Sequence, residues 1–250
     1  MALRTGNPTL KESTFAQFRG GVQSSPNTMT LNGTVHRTFF LLCLVVFSAS
    51  SVWTLWQTNP QILYPALMGS ALLGFITAMV TIFKQKWSPY TAPVYALLEG
   101  VVVGTISSIA NAHYPGVVVQ AVALTFGTLF CLLAAYRSGL IKPTENFKLG
   151  VVAATGGIAL LYFVSIFSSL VFNAPIPMIH ESGPIGIGFS AFVVVIAALN
   201  LVLDFDFIEQ GVECGAPKYM EWYAAFGLVV TLIWLYLEIL RLLMKLNNRN

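Results

Sequence analysis

Ten carboxylates and thirteen Lys or Arg residues are spread through 250 residues, and a few of them fall where charge is costly. Glu99 interrupts the apolar stretch Ala96-Leu97-Leu98-Glu99-Gly100-Val101. At ~1.5 Å per helical residue it lies about 15 Å from the start of its run near Pro89. A carboxyl at that depth must be protonated, paired with a base, or bonded to a neighbouring backbone or hydroxyl group. Asp204, Asp206 and Glu209 follow one another in Leu203-Asp204-Phe205-Asp206-Phe207-Ile208-Glu209. On a helix, positions 206 and 209 share a face and 204 points elsewhere. Asp206 with Glu209 is therefore a candidate for sharing a proton or ligating a hard cation such as calcium. Glu238 and Arg241 stand three residues apart in Leu235-Tyr236-Leu237-Glu238-Ile239-Leu240-Arg241, which permits an ion pair on one helix face. That pair either cancels its own burial cost or lines a path for ions.

These groups need a scaffold, and composition says which kind. Hydrophobic residues make up 56% of the chain and charged residues only 9%, against roughly 25% in a soluble domain. Mean hydropathy is +0.74. The lipid bilayer is therefore the expected surrounding of most of the surface. Apolar runs long enough to cross it lie at about 38–57, 62–83, 90–110, 117–136, 149–172, 184–207 and 223–244. Turn residues separate them: Asn59-Pro60, Ser88-Pro89, Tyr114-Pro115-Gly116 and Ser182-Gly183-Pro184. The expectation is an all-α membrane protein, a bundle of seven transmembrane helices over residues 38–246. Residues 1–37 are polar, rich in Gly, Ser, Thr and Asn, and read as a disordered tail with no cleavable signal.

Basic residues set the orientation. Arg4, Lys11, Arg19 and Arg37 precede the first run; Lys84 and Lys86 follow the second; Arg137, Lys142 and Lys148 follow the fourth; Lys218 follows the sixth. The odd-numbered breaks carry none, so the tail and the even breaks belong to the cytoplasm. Arg241, Lys245 and Arg249 oppose this, because a seventh span would carry them outside. Small residues recur at helical spacing, as in Gly69 and Gly74, Gly100 and Gly104, Gly150 with Gly156 and Gly157, and Gly186 with Gly188. Their expected role is close helix packing. Cys43, Cys131 and Cys214 have no metal-ligand spacing and read as packing residues. His36, His113 and His180 form no ligand pattern and read as solvated residues of the tail and loops. A net charge of +3, dispersed between apolar runs, is too small to suggest nucleic acid, and no such partner is expected. No Gly-x-Ser-x-Gly elbow, His-Glu-x-x-His helix or phosphate-binding Gly loop occurs. An enzyme is not expected, and neither is a cofactor.

Several segments carry a resemblance. Asn200-Leu-Val-Leu-Asp204-Phe-Asp206-Phe-Ile-Glu209-Gln-Gly211 and Trp234-Leu-Tyr-Leu-Glu238-Ile-Leu-Arg241-Leu-Leu243 are similar to the last two helices of the Bax inhibitor-1/YccA family, also called the transmembrane Bax inhibitor motif family. Tyr95-Ala-Leu-Leu-Glu99-Gly100, Tyr114-Pro-Gly-Val-Val-Val-Gln-Ala121 and Asn7-Pro8-Thr9-Leu10 resemble its prokaryotic branch. The resemblance implies a seven-helix bundle with a central last helix, residing in the plasma or inner membrane. It also implies a pH-sensitive calcium leak in which two membrane aspartates, on the sixth and seventh helices, share a proton. Asp206 matches the first of them through its Phe-Asp context. The second place is held by Glu238. Helical rise puts Glu238 about 22 Å into its run, while Asp206 lies near the inner surface, so Glu99 is the alternative partner by depth. The family also includes regulators that bind another membrane protein, such as a quality-control protease. Phe15 and Phe18 in the tail are candidate anchors for such a partner.

Overall fold

A computed structural model describes residues 27–58, 60–172 and 182–248. Among them are seven long helices: α1 (Leu31–Thr58), α2 (Leu63–Phe83), α3 (Ser88–His113), α4 (Val117–Arg137), α5 (Glu145–Phe172), α6 (Pro184–Glu213) and α7 (Met220–Asn247). Each is long and apolar enough to cross a membrane. The protein is an all-α bundle, and no described residue lies in a strand. The Phe15 and Phe18 anchors, His180 and Arg249 fall outside the described residues.

Local chemistry explains the breaks. Proline occupies the first turn of α3 and of α6, where its missing N–H costs nothing. The link between α3 and α4 turns on Gly116, at φ 86°, whose N–H is held by Asn111 Oδ1 at 3.0 Å. Gly215, at φ 63°, makes the tight turn from α6 into α7. Both positions lie in the left-handed region that glycine adopts without strain.

The last helix is the centre of the bundle. It packs against α1, α3, α4 and α6, and 67% of its most apolar stretch is buried, against 11% for α2. Tyr223, Phe226, Leu235 and Leu240 are among its fully buried side chains. Tyr95 of α3 meets Phe226 edge-on at 4.9 Å between ring centres. α2 lies outside on α3, and α5 lies outside on α6.

The first helix starts at Leu31, seven residues before the apolar run expected at 38. Its entry is stitched to the turn before α7. Thr28 and Pro217 form an antiparallel bridge, Met29 N–H donates to Ala216 O at 2.6 Å, and Lys218 N–H donates to Asn27 O at 2.9 Å. Glu221, fully buried in the first turn of α7, accepts the Thr30 N–H at 2.9 Å and the Thr30 hydroxyl at 2.8 Å. It also pairs with Arg37 and, at 3.0 Å, with Lys218. These bonds satisfy donors at the start of α1 and so lengthen the helix. His36 and Arg37 are thus helical residues rather than tail.

The small residues divide into two classes. A methyl group on Gly100 would come 2.6 Å from Val45 O, and one on Gly104 would come 2.7 Å from Ala49 Cα, so these two glycines set the α1–α3 approach. Around Gly69, Gly150, Gly156, Gly157 and Gly188 such a methyl would meet nothing within 4 Å. For those five the packing expectation is corrected: they lie on open faces, where lipid needs no matching ridge. Cys43 and Cys131 are corrected likewise, since both are exposed on the outer faces of their helices and neither fills the core.

Candidate functional site

The informative helix is a peripheral one. Along α5, the fully buried residues are Lys148, Val151, Ile158 and Ser165, with Thr155 and Tyr162 half-buried between them. The spacing alternates three and four residues, the stripe by which one helix lies along another. Lys148, Thr155 and Tyr162 recur every seven residues, and each makes a polar contact with the bundle.

At one end, Lys148 Nζ lies 2.7 Å from Asp206 Oδ2, with side-chain exposures of 4% and 15%. Gln210, one turn further along α6, donates to the same oxygen at 2.6 Å. Midway, Asn200 Nδ2 donates to Thr155 Oγ1 at 2.8 Å and to Ile196 O at 2.8 Å. Beyond that, the Tyr162 hydroxyl donates to Glu238 Oε1 at 3.0 Å and accepts from Arg241 Nη1 at 2.7 Å. Arg241 Nη1 lies 2.8 and 2.9 Å from the two Glu238 oxygens. Its guanidinium sits 5.2 Å from the centre of the Tyr162 ring, a cation–π distance. Glu238 is 2% exposed, so its charge is balanced by Arg241 rather than by water. One turn further, Lys245 Nζ donates to Gly186 O at 3.0 Å and to Ser190 Oγ at 2.9 Å.

The carboxylates singled out in the sequence thus go to separate places. Asp206 and Glu209 share a helix face but take different partners: Asp206 turns to Lys148, and Glu209 accepts the Tyr136 hydroxyl of α4. Among the described residues no three His, Cys, Asp or Glu side chains form a group able to hold a metal ion. Asp204 points elsewhere, as helical geometry requires, and is fully buried one turn from Asn200. Glu238 is brought together with Arg241. It is not brought to Asp206: their α5 partners, Lys148 and Tyr162, stand 14 residues apart, about 21 Å along the helix. Nor is it brought to Glu99. That carboxyl faces α2, where Glu99 Oε2 would lie 3.6 Å from a methyl on Gly74.

Sequence reading passed over Lys148, Thr155, Tyr162 and Asn200. Lys148 counted only as a loop charge, yet its seven-residue recurrence with Thr155 and Tyr162 is visible in the sequence, in and just before a run whose other polar side chains are Ser165, Ser168 and Ser169. Of the three basic residues that oppose the expected orientation, Arg241 and Lys245 are tied to partners within the bundle rather than lying in a loop, and Arg249 falls outside the described residues.

A cavity of about 500 Å³ lies elsewhere, between α1, α3, α4 and α7. Its floor includes Ala49, Ser50, Gly104, Ser107 and Tyr236, and no charged side chain lines it. Ser107 and Tyr236 share a hydrogen bond of 2.6 Å there.

A family model described as Bax inhibitor 1 like matches residues 7–248. The chain belongs to this family. The match covers all seven helices of this Bax inhibitor 1 like protein, including the α5 stripe and the carboxylates Asp206 and Glu238 that meet it. No curated protein and no solved structure matches the chain.

Proposed function

We propose that this protein is a pH-sensitive cation leak channel that passes calcium or protons along the interface of α5 with α6 and α7. One observation carries the reading. Two carboxylates, the half-buried Asp206 and the buried Glu238, lie against one stripe of one peripheral helix, each balanced by a cation. Ionisable groups inside a membrane bundle are expensive and mark ion or proton pathways. Protonating Asp206 would remove half of its pair with Lys148, and protonating Glu238 would do the same to Arg241. Acid would thereby weaken the two ties of α5 to the bundle, Lys148 to Asp206 and Tyr162 to Glu238, and a proton would compete with a cation for the same oxygens. Catalysis and a resident cofactor have no part in this reading. The tail and the α2–α3, α4–α5 and α6–α7 turns face the cytoplasm of a plasma or inner membrane, by their Lys and Arg content.

The test is calcium-indicator flux in proteoliposomes over a pH series near neutrality, with Asp206→Asn, Glu238→Gln and Glu99→Gln in parallel. The expected result is a pH-dependent leak whose profile moves in the first two variants. Wild-type vesicles no leakier than empty ones would refute the channel.

A second reading is favoured by the groove between α1 and α4. Its small and hydroxyl residues are the texture with which membrane helices pack. It suits a regulatory protein that binds another membrane protein, such as a quality-control protease. Ala49→Phe would fill the groove, and loss of partner capture with flux unchanged would separate this role from conduction.

A further inference from the structure

We propose that Ile158 of α5, with Val193 and Ile196 of α6, is a hydrophobic gate that closes the ion path in this conformation. The inference rests on the channel reading above and names the place where that channel is shut. Ile158 is 4% exposed, Val193 0% and Ile196 8%, and the three form a buried cluster walled by Phe189, Leu199 and Trp234. This cluster is separate from the main core of the bundle.

Its position along the stripe gives it meaning. Thr155 precedes Ile158 by three residues and Tyr162 follows it by four, so the cluster fills a polar interval of about 10 Å along α5. On the Lys148 side, Asn200 already bonds Thr155 through its amide nitrogen. Its Oδ1 is buried and has no hydrogen-bond partner among the described residues. Asn200 itself is 1% exposed. A buried acceptor left open is costly unless water or an ion reaches it. The oxygen is therefore suited to receive a water molecule or cation coming from the Lys148–Asp206 end. On the other side the next polar groups are Tyr162, Glu238 and Arg241. Between these two polar stations, water finds no partner on Ile158, Val193 or Ile196. A short apolar constriction between wet segments stops ions by dewetting rather than by a solid plug. Val151 is also buried on the stripe, at 4% exposure. It joins no apolar cluster and has Lys148 and Thr155 within a turn on either side, so the barrier is centred on Ile158.

Loosening the α5 ties would widen this constriction, because Lys148 and Tyr162 hold the helix on either side of it. The gate thus links the acid-labile pairs to conduction without either carboxylate blocking the path itself.

The test has two readouts. In a background lacking the three native cysteines, Thr155→Cys and Ser165→Cys are labelled from each face of the vesicle with a membrane-impermeant thiol reagent; Ser165 lies on the same stripe beyond Ile158, and Tyr162 is left in place. Thr155→Cys should label from the Lys148 face only, and Ser165→Cys from the opposite face only. Adding Val193→Thr, which keeps the side-chain shape and adds a hydroxyl, should let each cysteine label from both faces. The same change should raise cation flux by about tenfold if the dewetting barrier governs the closed state. Leu160→Ala, on the exposed face of α5, should change neither. Ile158→Ser serves as a second opening variant, with the oligomer profile in detergent as the check on folding. Labelling that crosses the cluster in the parent, or a split that persists in both opening variants, overturns the gate while the channel reading stands on wild-type flux. Labelling that merges as expected with no flux in any variant overturns the channel reading, and leaves only a water barrier at Ile158.

Discussion

Lys148 and Asp206 offer the sharpest energetic test. Lys148→Met keeps the aliphatic stem and removes the charge. Asp206, 15% exposed, would then keep Gln210 as its only hydrogen-bond donor among the described residues. Breaking one side of a buried pair costs about 3–5 kcal/mol, because the surviving charge loses its counterion in a poor solvent. Asp206→Asn strands Lys148, at 4% exposure, and should cost a similar amount. The double change, Lys148→Met with Asp206→Asn, leaves no buried charge and should recover to within about 1–2 kcal/mol of wild type, since neutral replacement of a buried pair is often close to neutral. The two single effects are then far from additive, with an apparent coupling of several kcal/mol. Reversible unfolding in mixed micelles, followed by far-UV circular dichroism across all four proteins, measures the cycle. Additive single effects, or a Lys148→Met cost below about 1 kcal/mol, would show that the pair is hydrated and solvent-screened. The claim that it ties α5 to the bundle would then fail.

Other changes probe neighbouring features. Gly33→Ala should destabilise by about 2 kcal/mol or more, since the new methyl would clash with the Glu221 carboxylate, which Thr30 and Lys218 hold at Oε1 and Arg37 at Oε2; a thermal melt in detergent reads this. Gly157→Ala, on an open face of α5, should instead stabilise by about 0.5–1 kcal/mol through helix propensity alone. Gly104→Leu should force α1 from α3 and lower the yield of folded protein, because its first added atom already meets Ala49 backbone at 2.7 Å. Arg241→Met should cost more stability than the double change with Glu238→Gln, again because a lone buried carboxylate is worse than a neutral pair; the same micelle unfolding decides it.

Sequence alone determined the class of this protein and most of its architecture. Seven apolar runs of bilayer length, broken by Pro, Gly and Asn, leave no other way to satisfy the backbone in lipid than seven helices. Their boundaries followed closely except at the start of α1, which depends on Glu221, a residue nearly two hundred positions away, and at the end of α6, which continues from the expected 207 to Glu213. The Glu238–Arg241 contact was also legible, because helical spacing within one element is a local property. What tertiary structure decided is which helix each charge faces. Asp206 and Glu209 share a face, yet one meets Lys148 and the other Tyr136. Glu99 turns to α2 while Glu238 turns to α5. The physical reason is that periodicity gives the direction of a side chain relative to its own helix only. The rotation of that helix against its neighbours is set by packing, and in lipid, where every outer face is apolar, hydropathy does not distinguish inside from outside. The stripe Lys148, Thr155 and Tyr162 is polar in the one direction where polarity is costly. Only the assembled bundle shows that Asp206, Asn200 and Glu238 wait there to meet it.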